Sequence, residues 1–200
     1  MTKLRLVVLL VCCLMALVGV WALFVVPMQQ TGPSVTTSET FQIGGPFELT
    51  DHTGALYSSE NLKGRPHLIF FGFTHCPDIC PTTLQELSTH LGELGARADA
   101  IVPIFITVDP SRDTPEKLGS YLAAFDKRII GLSGSEDEIA KVAKLYRAFY
   151  EKVPSESGGY SMNHAASVYM FDRDGRFVST LSWQEKPVVR QAKLEKLTRR

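Results

Sequence analysis

Apolar and polar positions follow two unlike regimes along this chain. Leu6 to Val26 is an unbroken stretch of 21 residues without a charged side chain. As a helix rising roughly 1.5 Å per residue it spans about 30 Å, the hydrocarbon thickness of a bilayer. Lys3 and Arg5 lie just before it, and no basic residue follows until Lys63. The positive-inside rule then puts residues 1–5 in the cytoplasm and everything after the span outside. Residues 6–26 are expected to form a single transmembrane helix. A cleaved secretory signal is the alternative, but signal cores run shorter and no A-x-A-like site follows Val26. Both readings place the body in the same compartment. Residues 27–40, with the polar run MQQTGPSVTTSET, are expected to be a tether. Residues 41–200 are expected to form one domain.

Beyond the tether, short apolar runs alternate with longer amphipathic stretches. GGPFELTDHTGALYSSENLKG predicts a short strand pair with its turn at Asp51–Gly54. His67 to Phe73 (HLIFFGF) is almost wholly apolar, as in a strand buried on both faces. Leu84, Leu87, Leu91 and Leu94 recur at spacings of three and four, predicting an amphipathic helix over 82–96. Ile101 to Val108 predicts a second buried strand, with Pro103 marking a bulge. Thr114 and Pro115 suit the cap and first turn of a helix reaching about Phe125. Glu136, Asp137 and Glu138 complement the dipole of the next helix. Ala166 to Phe171 and Arg176 to Leu181 predict a hairpin turning at Asp172–Gly175, and a last helix follows Trp183. Strands alternating with helices and closed by a hairpin give an α/β domain, a mixed central sheet flanked by helices.

Charge narrows the function classes. The formal net charge is zero, and Lys3 and Arg5 are the only charges before Glu39. A near-neutral body argues against nucleic acid, which demands a concentrated basic face. The basic run near the end (Lys186, Arg190, Lys193, Lys196, Arg199, Arg200) is read as a solvated helix face and tail. Five residues ahead of the span leave no room for an Arg- and Ser-rich presequence. The expectation is a bacterial inner membrane protein, single-pass, with its body in the periplasm.

The candidate chemistry lies in FTHCPDICP, residues 73–81, where a buried strand gives way to a helix, the end of an α/β sheet that carries sites. Pro81 suits the first helical turn and disfavours helix at Cys80, so the helix is expected to start there. A helix N-terminus favours thiolate, the form that binds metals and attacks disulfides. Cysteines four apart bring their Cα atoms to about 6 Å, so Cys76 and Cys80 can form a redox-active disulfide or hold a metal, not both at once. A plain stabilising disulfide is the bland reading; closing so short a loop removes little chain entropy. Cys12 and Cys13, inside the apolar run, are read as filler. Two soft thiolates suit Cu(I), with zinc next; a structural zinc site wants four ligands, and the body has no second cysteine pair. A further donor has to come from a histidine. His67 is about 25–30 Å away along its strand and His90 about 15 Å along the helix, both too far. The positions of His52 and His75 are undetermined. His164 follows a Gly/Ser-rich stretch, Pro154–Asn163, read as a mobile loop, and precedes a strand; by pattern alone such a histidine is more often a surface or core residue.

GGPFELTDHTG, FFGFTHCPDICP, IFITVDPSRDTPEKL, FDKRIIGLSG and NHAASVYMFDRDG, in this order from about Phe41 to Leu181, resemble the Sco/SenC family of copper proteins. The resemblance implies a thioredoxin-like domain on one transmembrane anchor, serving assembly of the copper A site of cytochrome c oxidase. It implies that Cys76, Cys80 and His164 bind copper as Cu(I), with Cu(II) left open. The residue before the histidine, usually Asp in that family, is Asn163 here. Asp78 tunes thiol acidity, touches Cu(II) or caps the coming helix; Asp109 is read as structural, pairing with Arg112. The implied partners are the copper-bearing oxidase subunit, an upstream copper donor and a thiol reductant. Two functions compete. A metallochaperone needs the histidine; a thiol–disulfide reductase acting on the oxidase cysteines needs Cys76 as nucleophile and Cys80 as resolving thiol, and no histidine. A peroxiredoxin-like peroxidase is a weaker third, because fold alone does not fix function.

Overall fold

The computed structural model describes residues 42–155 and 158–199, together with Val7 and Met15. The expected cytoplasmic segment, tether and all of the expected span but those two residues lie outside the described residues. Among the described residues no helix is long and apolar enough to cross a membrane. The fold is that of the unit running from Phe41 to Arg200.

Its elements are β1 (Glu48–Asp51), β2 (Leu56–Ser58), β3 (His67–Gly72), α1 (Ile79–Leu94), β4 (Val102–Thr107), α2 (Pro115–Leu122), β5 (Ile130–Ser133), α3 (Glu136–Leu145), β6 (Tyr150–Pro154), β7 (Tyr160–His164), β8 (Val168–Phe171), β9 (Phe177–Leu181) and α4 (Pro187–Thr198). Seven strands form one sheet in the order β2-β1-β5-β4-β3-β8-β9. Strands β3, β4 and β5 are parallel, while β1 and β8 join them antiparallel. The sheet is mixed, as the alternation of elements predicts, and the fold is thioredoxin-like, as the resemblance implies.

All six residues of β3 and all six of β4 are buried, so these central strands need apolar side chains on both sides. Their faces separate cleanly. On one side Phe70 meets Phe105, and Phe105 meets Tyr121 of α2; Gly72 abuts Cys80 of α1 on that side. Helix α4 joins this layer through Arg190–Glu86 and His90–Gln191 contacts to α1. On the other side Phe71 and Phe171 pack against Tyr146, the C-cap residue that follows α3. Three helices cover one face and one covers the other.

Local chemistry sets the element ends. Thr114 caps α2 by accepting from the Lys117 N–H, with Pro115 at the first helical position. Ser135 and Glu138 form a reciprocal capping box at α3. Pro103 makes no bulge: it pairs in register with Leu68. Val102 N–H donates toward the β3 side, so the donor that Pro103 lacks belongs to the β5 side, one residue before β5 pairing begins at Ile104.

Three further expectations are corrected. Strand β5, between β1 and β4, was not predicted; it is only four residues long, IGLS, too short for a period to show. Helix α1 starts at Ile79, two residues before Pro81. The proline falls in the first turn, whose N–H groups have no intrahelical partner, and packing of Cys80 under Gly72 and Phe105 overrides the local bias against helix at the preceding residue. The C-terminal basic run is not uniformly solvated: Arg190 is buried and paired with Glu86, and Lys193 is bound to Glu185 and the Thr180 carbonyl.

Candidate metal site

The cysteine loop leaves the buried end of β3 and turns into α1. Gly72 is required there, because a Cβ at that position would lie 2.6 Å from the Phe105 ring and 2.9 Å from Cys80 Sγ. Cys80 is fully buried and Cys76 is 9% exposed, and both are free thiols. The Cys80 N–H donates to Cys76 Sγ at 3.4 Å. Cys76 is pulled down to about 4, first because the Cys80 thiol donates to its sulfur, then with help from the backbone N–H groups of Cys80 and Asp78; burial opposes this. Cys80 is pushed upward, because it donates its proton to Cys76 and because it is buried. The pair therefore rests as one thiolate and one thiol, with the charge on the more accessible sulfur.

His164 closes the group from 84 residues away, its Nε2 lying 3.2 Å from Cys80 Sγ. Its Nδ1 lies 3.0 Å from the Ala165 carbonyl; as the donor of that bond it leaves the Nε2 lone pair toward the sulfurs. The ring stands edge-on to Phe73 at 5.7 Å and tilts against Phe70 at 6.1 Å. One donor atom each from Cys76, Cys80 and His164 fall within 4.8 Å of one another. Two sulfurs and an imidazole nitrogen are a soft donor set suited to copper.

The expected mobile loop before His164 is instead a two-stranded sheet of its own, β6 paired with β7. Most of its side chains are at least partly exposed, so no apolar period marks it as strand. Gly158 and Gly159, both at positive φ, make its turn. His164 ends β7, opposite Tyr150. The neighbouring Asn163 is exposed and faces Glu151 across the ladder; an Asp there would set two carboxylates opposite each other.

Two buried carboxylates brace the site. Asp113 accepts from the Thr74 N–H at 2.9 Å, the Thr74 hydroxyl at 2.6 Å and the Thr107 hydroxyl at 2.7 Å, fixing the start of the cysteine loop to the end of β4. Asp109 pairs with Arg112, as expected from sequence, and also accepts from the Tyr160 hydroxyl at 2.9 Å. Sequence reading missed Asp113 and Tyr160; the only signal is the run TVDPSRD, two carboxylates following a buried strand.

The other histidines stand apart. His67 stacks on Phe171 at the far end of β3, His90 contacts Gln191, and His52 Nδ1 accepts from the Gly131 N–H. His75 is exposed, lying beside Thr74 and Lys117. Asp78 occupies the cap position of α1 without a side-chain cap bond; its carboxylate accepts from the Thr82 hydroxyl at 3.4 Å.

Comparison with known proteins gives a consistent picture. The SCO1/SenC family model matches residues 35–199. A SCO2-like protein of Rickettsia prowazekii is 39% identical over 170 residues, covering 81% of this chain and 83% of the relative. The structure of Bradyrhizobium japonicum ScoI with copper bound superposes with a TM-score of 0.72 at 50% identity, covering 78% of this chain and 99% of that one. BsSco, a member of the Sco family of cytochrome c oxidase assembly proteins in which a disulfide switch was identified, superposes with a TM-score of 0.65 at 25% identity, covering 79% and 95%.

Proposed function

This chain belongs to the SCO1/SenC family, and from that premise we propose that it is a copper metallochaperone for cytochrome c oxidase assembly. Cys76, Cys80 and His164 hold Cu(I), and the protein delivers it to the copper A site of the oxidase subunit. The observation that carries the reading is the convergence of the two sulfurs and the His164 nitrogen within 4.8 Å. A three-donor site releases its cargo by ligand exchange: an incoming thiolate binds before one of the three donors leaves. An upstream copper donor loads the site. Residues 6–26 anchor the chain in a bacterial inner membrane, with the body in the periplasm near its client.

A second reading rests on the cysteine pair alone. The Cys76 thiolate attacks a disulfide in the client, releasing one client sulfur as thiolate and forming a mixed disulfide. Cys80, giving up its proton, then displaces the second client sulfur and closes the Cys76–Cys80 bridge. The client gains two electrons and the pair loses two, so an external thiol reductant must restore it. The disulfide switch of BsSco favours keeping this reading beside the first.

His164 separates them. The test is anaerobic Cu(I) binding by the reduced full chain against a competing chelator, with His164→Ala and Cys80→Ser alongside. The chaperone reading expects one copper per chain, held more than about tenfold less tightly in both variants. Wild-type binding no tighter than His164→Ala, with intact disulfide exchange, would overturn it in favour of the reductase.

A further inference from the structure

The third donor of the candidate site stands on a platform that is not part of the main sheet. Among the described residues, strands β6 and β7 pair only with each other, and Met162 is the one residue of the two strands that is buried. The seam between hairpin and body is an incompletely filled cleft, with Val108, Asp109 and Ile139 on one side and Tyr150, Lys152 and Met162 on the other. Tyr150 and Tyr160, both partly exposed, join Met162 in packing against the core, so burial holds this hairpin less firmly than the central strands. Two of the polar contacts that join it to the body gather in one cluster.

Arg112 lies at the centre of that cluster. Its Nε is bound to the buried Asp109 carboxylate, and its Nη1 donates to the Tyr160 carbonyl at 3.0 Å. Its guanidinium sits 3.8 Å from the centre of the Tyr160 ring, while the Tyr160 hydroxyl returns to Asp109 at 2.9 Å. The same guanidinium lies 6.0 Å from the Phe73 ring, which stands edge-on to His164. Tyr160 opens β7 and His164 ends it. One cation thus contacts the first residue of the histidine's strand, lies 6.0 Å from the ring beside the cysteines, and is itself fixed by a carboxylate just past the end of β4. A planar guanidinium can pair, donate and stack in one place; an ammonium cannot.

We propose that Arg112, clamped by Asp109, is a positioning residue: it latches the β6–β7 hairpin onto the cysteine loop through Tyr160 and so presents His164 to the two sulfurs before any metal arrives. The proposal deepens the copper reading and rests on it for its consequence, but the latch itself is a property of the metal-free chain. Any ligand that draws His164 toward the sulfurs tightens the latch in return.

The test uses the full chain with Arg112→Ala, Arg112→Lys and Tyr160→Phe. Amide hydrogen exchange is measured first, without metal, over β7 and over β3 and β4 as internal reference. Cu(I) X-ray absorption and chelator competition follow. The latch predicts that Arg112→Ala speeds exchange in β7 about tenfold or more while β3 and β4 keep their protection. It also predicts that copper affinity falls about tenfold and that the site drops from three donors toward two sulfurs. Arg112→Lys should recover little, because the carbonyl bond and the stacking are lost; Tyr160→Phe, which removes one hydrogen bond, should fall between wild type and Arg112→Ala. Unchanged β7 exchange with a three-donor site in Arg112→Ala overturns the proposal. So does equal loss of protection in β3 and β4, which would make Arg112 a general stabiliser. If wild-type copper binding proves indifferent to His164, the copper reading fails, and the metal-free exchange experiment still decides the latch.

Discussion

At the scale of single residues, the two cysteines are chemically unequal although their sequence context looks symmetrical. Cys76 carries the thiolate, held down to about 4 chiefly by the Cys80 thiol, and Cys80 is fully buried. Alkylation by iodoacetamide should therefore strike Cys76 first in the reduced, metal-free chain. Its rate should stay nearly flat from pH 8 to 5, since only thiolate reacts and its population persists across that window. Peptide mapping after brief labelling checks this; preferential labelling of Cys80, or a rate falling tenfold per pH unit below 8, would contradict it. The cysteines were legible in sequence because their spacing and the following proline are local. His164 is less so: it meets Cys80 across 84 residues, a separation that no periodicity encodes; elimination left it a candidate that pattern alone disfavours, and the family resemblance raised it. Asp113 was invisible for a related reason. Its partners Thr74 and Thr107 are joined by folding, and a buried carboxylate in a charged loop looks like any exposed one.

Among the elements, legibility tracked burial. His67 to Phe73 reads as a strand buried on both faces, and all six residues of β3 are buried. Thr114–Pro115 and the acidic cluster at Glu136 gave helix starts, because caps are local electrostatics. The β6–β7 hairpin escaped because most of its side chains are at least partly exposed and its strands serve as a platform. The cap of α3 gives a prediction at this scale. Ser135 accepts from the Glu138 N–H at 3.3 Å, and the Ser135 N–H donates back at 2.7 Å. Ser135→Ala should lower stability by about 1 kcal/mol, seen as a lower urea midpoint at unchanged slope, without altering copper affinity. A loss of copper binding instead would mean that α3 supports the site directly.

For the whole molecule, acid sensitivity should come partly from the end of the sheet opposite the cysteines. His67 is buried against Phe171, and burial holds its pKa below the usual imidazole value. The folded state thus binds fewer protons than the unfolded one, so stability is fully present above about pH 6.5 and declines as pH falls below it. A thermal midpoint measured from pH 7.5 to 5 should fall for the wild-type chain and fall less steeply for His67→Phe; parallel slopes would assign the loss to other groups. The distribution of the three donors along the chain has one more consequence. Two lie four residues apart on a single turn of backbone, while the third arrives only when β7 is in place. A loaded chain that unravels, in a denaturant or on the way into a protease, loses the distant nitrogen first and keeps the sulfurs, because their proximity survives without the fold. An unfolded chain is therefore expected to keep copper on the two sulfurs after the third donor has left.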